Sequence, residues 1–129
     1  MTTSVLLVRH AQSTGNAERM WQGLIDAPLS ELGEAQARAA AAAVGGVDAI
    51  VASSMERAWR TAEIIAETLG VGPVIRIPEL RERDLGAWTG LTTREITTRW
   101  PASRKLSAIV RPRSVSPPVT STSIAMTSC

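Results

Sequence analysis

The sequence predicts an α/β fold with a largely parallel sheet flanked by helices. Two observations carry that prediction. Short, mostly apolar segments of strand length recur at residues 5–8, 48–52 and 74–77. Each is followed, directly or after a loop, by a segment with helical spacing and a recognisable start signal, an alternation typical of parallel sheets with helical crossovers.

Val5-Leu6-Leu7-Val8 is a continuous apolar run, as expected for a strand buried on both faces of a parallel sheet. Residues 11–29 contain Gly15, Asn16, Gly23, Asp26 and Pro28 and read as a long loop. Ser30 can cap a helix over residues 31–44, which Gly45-Gly46 stops. Residues 48–52 form the second strand. Ser53 and Glu56 fit the spacing of a capping box for the next helix, whose Ala58, Ala62, Ile65 and Leu69 share one face before Gly70 ends it. Residues 74–77 form the third strand, and a loop follows through residues 80–90. Thr92 and Glu95 make a further capping box for a short helix that Pro101 must end.

The character changes near residue 106. Residues 106–129 hold six Ser, three Thr and three Pro with no acid and no sustained period, a composition that supplies no core of its own. The expected organisation is therefore one α/β domain over residues 1–105 and a disordered tail over residues 106–129.

Composition bounds the function more than it defines it. The chain has 129 residues, 44% apolar and 20% charged, which is ordinary for one globular domain. Residues 1–95 carry 12 acidic and nine basic side chains, whereas residues 96–129 carry five basic and no acidic ones. The net charge of +2 thus owes its sign to residues 96–129. Five charges over that length, with little aromatic interleaving, do not make a nucleic-acid arm. Cys129 has no partner for an internal disulfide, and no Cys/His/Asp spacing suggests a metal site. The apolar run at residues 5–8 is too short for a signal peptide or a membrane span. The cytoplasm is the expected location, with no cofactor, no nucleic acid and no membrane as partner.

Chemistry enters at Arg9-His10, just after the first strand. Ligands of open α/β sheets bind at the carboxyl ends of strands, and an imidazole there can attack phosphorus while a guanidinium neutralises its oxygens. An isolated Arg-His pair is more often structural than catalytic. Its surroundings change that balance. LVRHAQSTGN at residues 7–16 resembles the histidine phosphatase signature L-x-R-H-G/A-x-S/T-x-x-N. WQGLIDAPLSELGEAQA at residues 21–37, SSMERAWRTAEIIA at residues 53–66 and LRERDLGAWTG at residues 80–90 resemble the three motifs that follow it in that superfamily.

The resemblance implies a three-layer, phosphoglycerate mutase-like fold, incomplete at the C-terminus. It implies a small phosphorylated metabolite as substrate and a phosphohistidine intermediate. In these terms His10 is the nucleophile, Arg9 and Arg57 clamp the phosphoryl group, and Glu82 protonates the leaving oxygen. Asn16, Ser13 and Gly23 complete the substrate site, and no metal is required. The bland readings are a solvated helix residue for Arg57, loop capping for Ser13 and Asn16, and a surface pair with Arg81 or Arg83 for Glu82. Asp84 is the weaker candidate acid. Gly86, Trp88 and Gly90 read as loop architecture.

One departure qualifies the activity. The family carries a second catalytic His in its C-terminal half, on a central strand, in a motif resembling Ser/Ala-His-Gly. This sequence contains one His. The match stops near Pro101, as a frameshift or early stop would produce. The expectation is a phosphatase impaired by that loss, on a scaffold lacking a central strand and prone to self-association. Alternatives are mutase-type transfer and a non-catalytic anion-binding remnant.

Overall fold

A computed structural model of the chain describes residues 3–103 and 123–128. Four strands, β1 (Ser4–Arg9), β2 (Ala49–Ser53), β3 (Ile75–Ile77) and β4 (Ser123–Ser128), form one parallel sheet in the order β1-β4-β2-β3. Between them lie α1 (Thr14–Ala17), α2 (Glu31–Val44), α3 (Glu56–Leu69) and α4 (Thr93–Arg99).

Local signals set most of these boundaries. Ser30 accepts from the Gly33 amide at the start of α2, and Gly45 ends it. Gly70, left-handed at φ 66°, ends α3. Thr92 and Glu95 cap α4 reciprocally, as the sequence predicts. Two starts differ. Residue Met55 is the N-cap of α3, while the Ser53 hydroxyl at the end of β2 accepts from the Met55 amide. Asp26, distant in sequence, accepts from the Glu56 amide at 2.6 Å and takes over the capping role expected of Ser53. The predicted loop over residues 11–29 contains α1, held by a reciprocal Ser13–Asn16 cap. Its acceptor at the third position is Asn instead of Glu or Gln, so the usual pattern does not reveal it.

The largest correction concerns the tail. Ser123–Ser128 inserts between β1 and β2, with Leu7 and Val51 both in register with Met126. The central strand expected to be missing is therefore present. A parallel strand flanked on both sides is held by main-chain hydrogen bonds, which any non-proline sequence can make. Ser/Thr-rich composition did not forbid it. The remainder of the expected tail, residues 104–122 and 129, lies outside the described residues.

Chain order then dictates where the core sits. The path β1 to β2 to β3 steps one way across the sheet, so right-handed crossovers place α2 and α3 on the same face. That face buries Ile50 and Ala52 of β2 under Ala41, Ala62, Ile65 and Ala66. Arg76 of β3 lies 3.9 Å over the Trp59 ring on the same side. The opposite face exposes Val5 (55%), Leu7 (65%) and Ile75 (50%). The described helices thus cover one face of the sheet, and β1 is not buried on both sides as its apolar run suggests.

Candidate active site

His10, Arg57 and Glu82 each follow the carboxyl end of a strand, β1, β2 and β3 respectively. Parallel strands bring those ends to one edge of the sheet. There a cleft of about 490 Å³ is lined by Arg9, His10, Asn16, Gly23, Arg57 and Glu82. Its size falls within the roughly 300–1,000 Å³ usual for small-molecule sites.

Arg57 occupies the first turn of α3 and is 2% exposed. Its Nη1 donates to the Ile25 carbonyl at 2.9 Å and its Nη2 to the Gly23 carbonyl at 3.1 Å, while Nε is buried without a partner. No carboxylate pairs with it among the described residues. A guanidinium removed from water and given only neutral acceptors lacks a compensating charge. An anion in the cleft beside it would supply that charge.

The His10 Nδ1 lies 2.7 Å from the Ala11 carbonyl. A carbonyl can only accept, so Nδ1 carries the proton and Nε2 keeps its lone pair. Burial depresses the His10 pKa below the ordinary 6.5, and the Arg57 and Arg9 charges lower it further against the opposing Ala11 hydrogen bond and Glu82. The imidazole is therefore neutral at physiological pH.

The segment carrying His10 is pinned from below. Thr61, buried in α3, accepts from the Ala11 amide at 3.0 Å and donates to the Arg57 carbonyl at 2.7 Å. One hydroxyl thus ties the His10 turn to the helix turn that bears Arg57. Gly33 permits the close approach of the same segment, since a Cβ there would stand 2.0 Å from the Gln12 carbonyl oxygen. Gly23, at φ 51°, turns its carbonyl to Arg57.

The predicted substrate-binding residues divide. Asn16 and Gly23 line the cleft. Ser13 is fully buried outside that lining, its Oγ accepting from the Asn16 amide at 3.1 Å and donating to Gln22 Oε1 at 2.9 Å. It orients Asn16 and Gln22. Glu82 is half-buried and its Oε1 accepts from the Arg83 amide at 3.0 Å, with no ion pair to Arg81 or Arg83 among the described residues. Asp84 caps a turn by accepting from the Gly86 amide.

Arg19, Met20, Trp21, Gln22, Leu85 and Thr93 also line the cleft, beyond what the sequence motifs predict. Trp21 and Gln22 directly precede Gly23, and that adjacency was the available signal. Trp21 donates to Thr93 at 2.9 Å and meets Trp88 edge-to-face at 5.7 Å, which fastens the α1 turn to the loop bearing Glu82.

Residues 5–123 match the histidine phosphatase superfamily (branch 1). The chain belongs to that superfamily. It is 42% identical over 101 residues to an uncharacterized phosphatase, PhoE, of Bacillus subtilis, covering 77% of this chain and 52% of that protein. Against glucosyl-3-phosphoglycerate phosphatase of Mycobacterium tuberculosis it is 40% identical over 103 residues, 78% of this chain and 45% of the relative. The solved mycobacterial glucosyl-3-phosphoglycerate phosphatase in complex with VO3 superposes with a TM-score of 0.74 at 38% identity, covering 79% of this chain and 49% of that one. The chain spans about half the length of the curated relatives it matches.

Proposed function

We propose that this chain acts on small phosphate monoesters as a histidine-type phosphatase. The buried Arg57 guanidinium, with no carboxylate partner among the described residues and beside a neutral imidazole, carries that reading. Arg57 and Arg9 neutralise the phosphoryl oxygens, with Asn16 and the Gly23 turn orienting them and Ser13 holding Asn16. Nε2 of His10 attacks phosphorus in line, forming an N–P bond as the ester P–O bond breaks. Glu82 is the general acid toward the leaving oxygen. Water then attacks the phosphohistidine, releasing inorganic phosphate, restoring Nε2 and returning a proton to Glu82. In this scheme the guanidiniums supply the charge neutralisation that a metal ion supplies elsewhere.

The relatives named as phosphatases support the reaction class. The single His of the sequence favours slow turnover, because losing one charge-stabilising group typically lowers turnover about 10²–10³-fold. A non-catalytic phosphate-binding protein is the second reading that this observation favours. Incubation of the full chain with a radiolabelled aryl phosphate distinguishes them. The expected result is an acid-labile label that disappears in His10→Ala and persists with chelators. Phosphate binding without label would establish the second reading. Transfer of the label back onto a sugar acid would indicate a mutase, and absence of both binding and label would refute the assignment.

A further inference from the structure

One buried side chain bonds to the backbone of both turns that carry the chemistry, yet lies outside the cleft lining. Thr61 is 1% exposed. Its hydroxyl donates to the Arg57 carbonyl at 2.7 Å, a bond that helical threonines commonly make to the residue four back. Thr68 makes the same bond to the Ile64 carbonyl at 2.7 Å. Thr61 differs in a second contact, because its oxygen also accepts the Ala11 amide at 3.0 Å from 50 residues away.

Chemistry fixes the direction of each bond in this set. The Arg57 carbonyl can only accept and the Ala11 amide can only donate, so the hydroxyl serves as donor and acceptor at once. Ala11 in turn offers its carbonyl to His10 Nδ1 at 2.7 Å. The residue that Thr61 holds by its amide is thus the residue that holds the imidazole proton. The next amide, of Gln12, donates to Gln36 Oε1 at 3.0 Å in an exposed place, where water can replace the side chain. Water has no such access to Thr61. Without its hydroxyl the Ala11 amide would be buried and unpaired, and the turn would shift to recover a partner.

We propose that Thr61 is a positioning residue that holds His10 in the form protonated at Nδ1, with Nε2 free, in register with the Arg57 turn. Its consequence for phosphoryl transfer rests on the phosphatase reading above, whereas its effect on the imidazole does not.

The sequence has one His, so isotopic labelling of histidine ring nitrogens reports by NMR on His10 alone. Near neutral pH the unmodified full chain is expected to show a protonated Nδ1 and a bare Nε2. Thr61→Val keeps the side-chain shape without the hydroxyl and is expected to give a mixture of the two tautomers. Thr61→Ser retains a hydroxyl and is expected to show the single form. Thr68→Val loses the same helical bond and should leave the ring signals unchanged. In Thr61→Val, phosphohistidine formation at saturating aryl phosphate should slow about 10–10²-fold, as misplaced reacting groups do. Affinity for inorganic phosphate should change little, since Arg9 and Arg57 keep their charges. A merely structural threonine would lower the Tm and leave one tautomer. Two tautomers in the unmodified chain, a single form retained in Thr61→Val, or a mixture in Thr61→Ser would each overturn the inference. Should Thr61→Val not fold, the unmodified chain decides by hydrogen exchange, where an Ala11 amide as fast as exposed loop amides would overturn it. The single tautomer in a chain that forms no phosphohistidine would overturn the phosphatase reading and leave the role of Thr61 standing.

Discussion

The two faces of the sheet carry similar apolar residues and meet different fates. On one, Ile50 and Ala52 are buried beneath α2 and α3, and Ile65 is wholly removed from solvent. On the other, Val5, Leu7 and Ile75 are at least half exposed. Hydrophobicity does not distinguish them. The direction in which the chain steps across the sheet does, because right-handed crossovers from β1 through β3 send both helices to one side. An apolar run in a strand therefore predicts a strand without predicting which of its faces is covered.

The strongest way to break this comparison is to cut into the covered face. Ile65→Ala is expected to lower unfolding free energy by about 2–5 kcal/mol, measured by urea denaturation, through lost burial and a cavity under β2. A loss below about 1 kcal/mol would mean that the helices do not pack the sheet as described. A smaller effect arises where both faces end, at His10. Its native pKa lies below 6.5, so as pH falls through 6.5 the unfolded chain takes up a proton that the native site resists. Stability should then decline with falling pH over that window, and the decline should be weaker in His10→Asn. By the same shift, the neutral form needed for attack should persist below pH 6.5 in labelling experiments.

The smallest stability change is expected on the open face. Leu7→Lys should alter unfolding free energy by no more than about 0.5 kcal/mol, as exposed substitutions usually do. The same change should raise the monomer fraction in sedimentation, because an exposed apolar face beside the β1 edge favours pairing of copies. A missing central strand gives no reason for self-association, since β4 fills that position. A loss of several kcal/mol in Leu7→Lys would show that the face is covered within the chain.

The candidate site was legible to differing depths. His10 and Arg57 could be found because short motifs fix them to a strand end and a helix start, and both reach the cleft. The role of Ser13 beneath it was not legible. The hydroxyl is used by Asn16 and Gln22, and that competition depends on the fold of α1. Nothing in the sequence neighbourhood of Arg19 announces a left-handed arginine.

What the sequence by itself determined are features stored within a few residues of each other. The Ser30 and Thr92 caps and the glycine stops at Gly45 and Gly70 rest on contacts four or fewer residues apart, and the strand runs are mostly apolar stretches of a few consecutive residues. What only the tertiary structure decided are pairings between distant segments: Asp26 capping α3, Thr61 holding the Ala11 amide, β4 between β1 and β2, and the burial of Arg57 against the Gly23 and Ile25 carbonyls. The physical reason is that a local hydrogen bond requires only the right residue types at a fixed spacing. A long-range one requires the whole chain to have chosen its path, and hydroxyls, carboxylates and guanidiniums accept whichever partner that path delivers.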